Sequence, residues 1–192
     1  MALSTLDQRT ALVLIDLQHG IVGGSAEPHT SAQVVARSVE LADAFRANRL
    51  PVVLVRVSFA ADGADAPPGR TEGAAHPAPE GWDVLVDEVA GNPEDIVVTK
   101  HNWGAFHGTD LDVQLRRRGV TQIVLGGIAT SMGVESTARA AHEHGYHVTL
   151  ATDAMSDFAA DAHDNSVGRI FPKLGETGTT AEVIELLAST RG

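Results

Sequence analysis

Five short apolar runs, rich in β-branched residues, constrain this chain more than any other feature: residues 11–15, 52–57, 96–99, 123–125 and 148–151. None alternates cleanly between apolar and polar side chains. Unbroken apolar runs of this length suit strands covered on both faces, as in a parallel sheet. Helical stretches lie between them at 32–49, 82–89, 110–118, 134–144 and 162–170, and a last helix is expected at 181–188. A weaker sixth strand falls near 174–177. This alternation predicts a three-layer α/β/α architecture, a doubly wound parallel sheet with right-handed crossovers placing helices on both faces.

Several boundaries have local chemical reasons. Asn48 and Arg49 end the first long helix ahead of Pro51. Gly119 and Gly145 stand where C-terminal glycine caps belong, after the basic run Arg116, Arg117, Arg118 and after His144. Residues 58–82 hold many glycines and prolines and little apolar periodicity. A loop this long is either a lid, a subunit contact or plain surface.

With 192 residues and 43% hydrophobic content, the chain is expected to form one domain over 1–192 with a sizeable core. Its net charge of -11 disfavours nucleic-acid backbones and anionic membranes as partners. The absence of cysteine excludes disulfides, thiolate catalysis and cysteine-ligated zinc. No run approaches the roughly 20 apolar residues of a membrane helix. The opening MALSTLDQRT has neither the long apolar run nor the basic flank of a signal peptide, so a cytoplasmic location is expected.

Open parallel sheets bind ligands beyond the carboxyl ends of their strands. Asp16 ends the first strand, Lys100 ends the third, and the fourth runs into a glycine-bearing helix entrance, Gly126 to Gly133. A carboxylate, an ammonium and unpaired helix N–H groups would then share one rim. Taken singly, each has a plainer reading. Asp16 suits a turn or cap, Lys100 a solvated strand end, and the glycines a tight turn. The glycine run matches neither a P-loop nor a G-x-G-x-x-G fingerprint.

Three ordered blocks resemble one family. The opening ALVLIDLQ, the segment VVTKHNWGAFHGTDLDVQLRRRGV and the stretch GGIATSMGVESTARAAHEHGY are similar to those of isochorismatase-like hydrolases. The resemblance implies a six-stranded parallel sheet in Rossmann-like strand order. In the cysteine-hydrolase branch an Asp, a Lys and a Cys form the active site; Asp16 and Lys100 match the first two. A cis peptide would fall between Ile128 and Ala129, and the Ala129 and Gly133 N–H groups would match the oxyanion hole.

The departure is at the nucleophile, where this chain has Gly133. Ser131 and Ser136 are close in sequence, but neither occupies the matching position. Isochorismatases also lack the cysteine, and they cleave a vinyl ether by protonation rather than by a covalent nucleophile. The resemblance therefore implies Asp16 as general acid, Lys100 binding a substrate carboxylate or steadying charge, and Gly133 leaving room for the substrate. Gln18, Trp103, Phe106, Ala129 and Thr130 are the expected substrate-binding residues, although packing would equally explain the aromatics and a loop hydrogen bond Gln18. For the proton to be available, burial must raise the Asp16 pKa against the lowering effect of Lys100.

Nicotinamidases of this family add a metal after the second strand. Asp62, Asp65 and His76 lack that spacing, and His142, His144 and His147 suit a helix terminus, so neither metal nor cofactor is expected. The expected partners are a small carboxylated substrate and further copies of the chain, as a homodimer or homotetramer. The alternatives are a metabolite-binding relative without turnover, or a hydrolase of a small amide or ester by a non-thiol route.

Overall fold

The structure, a computed structural model, describes residues 2–67 and 79–190. Six strands form one sheet: β1 (Thr10–Ile15), β2 (Val52–Val57), β3 (Ile96–Lys100), β4 (Gln122–Ile128), β5 (His147–Ser156) and β6 (Glu176–Gly178). Their order is β3-β2-β1-β4-β5-β6 and every pairing is parallel. Strand order therefore reverses between β1 and β4. This is the three-layer, Rossmann-like arrangement expected.

Alternate side chains of β1 divide the core. Leu12 and Leu14 pack with Val34, Leu41 and Phe45 of α2 (Ser31–Ala47) and with Val183 and Leu187 of α6 (Thr180–Thr190). Ala11, Val13 and Ile15 pack on the other face with Leu111 and Leu115 of α3 (Leu111–Arg117) and Ala138 and Ala141 of α4 (Glu135–Glu143). All six β1 residues are buried, which explains why the run shows no alternation.

Caps follow local chemistry. A reciprocal Thr30–Gln33 capping box opens α2. Gly119 and Gly145, with φ of 65° and 82°, close α3 and α4. A π-helical turn, Thr130–Val134, leads into α4. Short α1 (His19–Val22), absent from the sequence reading, follows β1, and α5 (Ala160–Asn165) follows β5.

One expected helix is not formed. Residues 82–89 form turns around an isolated bridge between Leu85 and Gln18, and several of their backbone bonds leave the segment. His19 N–H donates to Val84 O, Gly20 N–H to Trp82 O, and Val86 N–H to Leu17 O. The residues beyond β1 satisfy this backbone, so helical bonding is not needed. The Pro- and Gly-rich stretch 58–82 lies partly outside the described residues, and His76 with it. No helix among the described residues is long and apolar enough to cross a membrane.

Candidate active site

The carboxyl ends of β1 and β3 deliver the two charged residues. β2 lies between them, so Lys100 reaches across its end. Lys100 Nζ donates to Asp16 Oδ2 at 2.8 Å and to the Asn102 carbonyl at 3.0 Å. Asp16 is 5% exposed and Lys100 2%. Asp16 has a left-handed φ of 54°, a conformation that Asp tolerates better than most residues.

The two carboxylate oxygens are unequal. Oδ2 is held by the ammonium, whereas Oδ1 is buried with no hydrogen-bond partner. A charged oxygen in that position is poorly stabilised. Burial accordingly raises the Asp16 pKa from 3.8 to about 6, with Lys100 and, to a lesser degree, the Val57 N–H opposing it. The Val57 N–H itself bonds to Gln18 Oε1 at 2.9 Å.

Gly133 sits directly against this pair. A Cβ there would lie 2.7 Å from Ile15 Cγ2, 3.2 Å from Asp16 Oδ2 and 3.6 Å from the Trp103 carbonyl oxygen. The space next to its Cα is therefore occupied by Ile15 and Asp16. Gly127, with φ of 122°, lets β4 approach β1: a Cβ there would fall on the Ile15 backbone. The peptide between Ile128 and Ala129 is cis.

The remaining expected residues separate. Ala129 and Thr130 are buried at the entrance to the π turn. Trp103 is 63% exposed, with its backbone next to Gly133. Gln18 is fully buried, and its amide is engaged by Val57 N–H, Val57 O and Trp82 O. The side chain fastens the ends of β1 and β2 to the 82–85 turn and makes no hydrogen bond to the Asp16 carboxylate; only the Gln18 backbone N–H reaches Asp16, at its carbonyl oxygen, 2.9 Å away. Phe106 packs in the core, its ring 5.1 Å from His144 and 5.9 Å from Tyr146 at the far end of α4. The structure does not bring it to the pair.

Two residues that the sequence does not single out hold the π turn in place, and a third, His29, packs against one of them. Asp157, 2% exposed, accepts the Ser131 N–H at 2.6 Å. His163 Nδ1 lies 2.9 Å from Thr130 Oγ1, and its ring meets that of His29 edge-on. Burial, aided by the nearby His29, lowers the His163 pKa and favours the neutral ring. Asp157 follows the end of β5. The search for polar residues at strand ends would have found it had that strand been read to its full length.

Asp65, considered as a metal ligand, accepts the Ala60 N–H and lies 3.5 Å from His101 Nδ1. Among the described residues no three His, Asp or Glu side chains cluster as a metal site would require.

An isochorismatase domain matches residues 10–182. The uncharacterized isochorismatase family protein YecD of Escherichia coli O157:H7 is 45% identical over 180 residues, which cover 93% of this chain and 96% of that protein. Its counterpart YwoC of Bacillus subtilis (strain 168) is 47% identical over 182 residues, covering 93% and 94%. An isochorismatase family protein of known structure from Burkholderia thailandensis superposes with a TM-score of 0.92 at 49% identity, covering 96% of this chain and 98% of that one.

Proposed function

Because this chain belongs to the isochorismatase family, we propose that it is a hydrolase that cleaves a small carboxylated vinyl ether, such as isochorismate, with Asp16 as proton donor. The observation that carries this reading is the asymmetry of the Asp16 carboxyl. One oxygen is fixed by Lys100 and the other is buried without a partner. The free oxygen is where a proton is best accommodated, and a pKa of about 6 keeps part of the population protonated near neutrality.

The chemistry is then a general acid step followed by hydration. The Asp16 proton adds to the terminal carbon of the enol ether, leaving an oxocarbenium centre on the carbon that bears the ether oxygen. Water attacks that centre and returns a proton to the Asp16 carboxylate. The resulting hemiketal collapses to a keto acid and an alcohol. No covalent intermediate on the protein is required, which fits a chain without cysteine. Lys100 has one N–H beyond its two hydrogen bonds. It steadies the Asp16 carboxylate once the proton has left.

The test is a mass-spectrometric screen of the purified protein against carboxylated vinyl ethers, small amides and esters. Consumption of a vinyl ether with release of a keto acid is the expected result. If only amides or esters are consumed, or nothing is, the reading falls.

A further inference from the structure

The amino ends of the strands, opposite the Asp16–Lys100 rim, carry a groove of about 770 Å³. It is lined by segments that lead into β1, β2, β3 and β4, and four arginines face it: Arg9, Arg46, Arg49 and Arg118. In a chain with only 14 Lys and Arg and a net charge of -11, this clustering runs against the overall electrostatic balance.

The four differ in how they are engaged. Arg46 is neutralised, with two bonds to Asp95 at 2.6 and 3.3 Å and one to Asp43 at 3.1 Å. It forms a fixed wall. The Arg9 side chain donates to the Arg118 carbonyl at 3.0 Å, and among the described residues the Arg118 side chain donates only to Gln114. Neither side chain has a carboxylate partner among the described residues, and the Arg49 side chain makes no hydrogen bond or ion pair there, although its backbone N–H donates to the Arg46 carbonyl at 2.9 Å. Glu94 is the acidic side chain left to oppose them once Asp95 is paired.

The backbone of Arg49 is the second observation. It occupies the position after the C-cap of α2 with a left-handed φ of 55°. The matching positions after α3 and α4 are Gly119 and Gly145. A non-glycine residue adopts this conformation at an energetic cost, so keeping a long cationic side chain here points to a use for it.

We propose that this groove binds a compact multivalent oxyanion, held by the guanidinium forks of Arg9, Arg49 and Arg118. Arg suits this task because its planar donors pair bidentately with phosphate or carboxylate oxygens. The groove is about a strand length, roughly 20 Å, from Asp16, so the ligand is not the substrate of the acid site.

Isothermal titration of the full chain with inorganic triphosphate, and separately with citrate, tests this without any turnover assay. Its outcome is therefore independent of the vinyl-ether reading. Saturable one-to-one binding that weakens with added salt is expected. Arg49→Gly and Arg118→Gln should each weaken it roughly tenfold, about what loss of one charge-assisted contact gives. Arg49→Gly should be at least as stable as the parent, because glycine suits the left-handed position. Tighter triphosphate assigns the groove to phosphorylated ligands, and tighter citrate to polycarboxylates. No saturable binding of either, or binding that both variants leave unchanged, overturns the proposal.

Discussion

Asp16→Asn is expected to lower turnover of the vinyl-ether substrate by about 100- to 10,000-fold, the range typical of losing a general acid. Asparagine is the informative replacement. It tolerates the left-handed backbone at φ 54° and keeps an oxygen for Lys100, but it has no acidic proton. Alanine would confound chemistry with backbone strain. The substitution also leaves the buried Lys100 ammonium without a counter-charge. Breaking a buried pair in this way costs about 3–5 kcal/mol, so circular dichroism must show that the variant is folded. A folded Asp16→Asn protein that turns over like the parent means the proton comes from elsewhere.

Gly133→Cys, which puts a cysteine at the position that the family resemblance implies for a nucleophile, is expected to destabilise the fold and not to create a working nucleophile. Its Cβ would lie 2.7 Å from Ile15 Cγ2, a side chain with no exposure, and 3.2 Å from Asp16 Oδ2. Overpacking of this kind costs about 1–3 kcal/mol. In a chain of this size that lowers the melting temperature by roughly 2–12 °C. Turnover should fall as well, because the new side chain presses on the carboxylate that Lys100 holds. Ile15→Ala removes the obstructing methyl, so the double variant should lose less stability than the two single losses added together. A Gly133→Cys protein as stable as the parent, carrying a thiol that hydrolyses amides, would show that the position is an open socket.

The alternation of apolar runs and helical stretches suffices to read the three-layer architecture and the position of Asp16 and Lys100 at strand ends. What escaped sequence reading has identifiable causes. From sequence β4 reads as three residues, because Gly126 and Gly127 resemble a loop. Both are strand residues, and Gly127 is needed where β4 presses on the β1 backbone. From sequence β5 reads as 148–151 alone, because Thr152 and Asp153 interrupt its apolar run. That carboxylate in fact accepts the Thr180 N–H at the start of α6. Residues 82–89 have helical composition, but Trp82, Val84 and Val86 take backbone partners from 17–20, a long-range pairing that no local pattern contains. The family resemblance places Phe106 in a pocket-lining segment, and a position two residues beyond Asp16 places Gln18 beside the carboxylate. Side-chain direction then sent one into the core and the other into backbone bonds. The protonation balance of Asp16 was the least legible feature, since it depends on the dry surroundings of Oδ1 and not on residue type.

A carbon-13 NMR titration of the Asp16 carboxyl, in the parent protein without ligand, bears most directly on the proton-donor role. A midpoint near 6 is predicted, because burial outweighs the neighbouring ammonium. The folded-state pKa is then above the unfolded value. The associated stabilisation should be complete below about pH 4 and lost as pH rises through 6. A midpoint at or below 4 would mean that Lys100 dominates, that the carboxyl is fully ionised at neutral pH, and that Asp16 is not the acid.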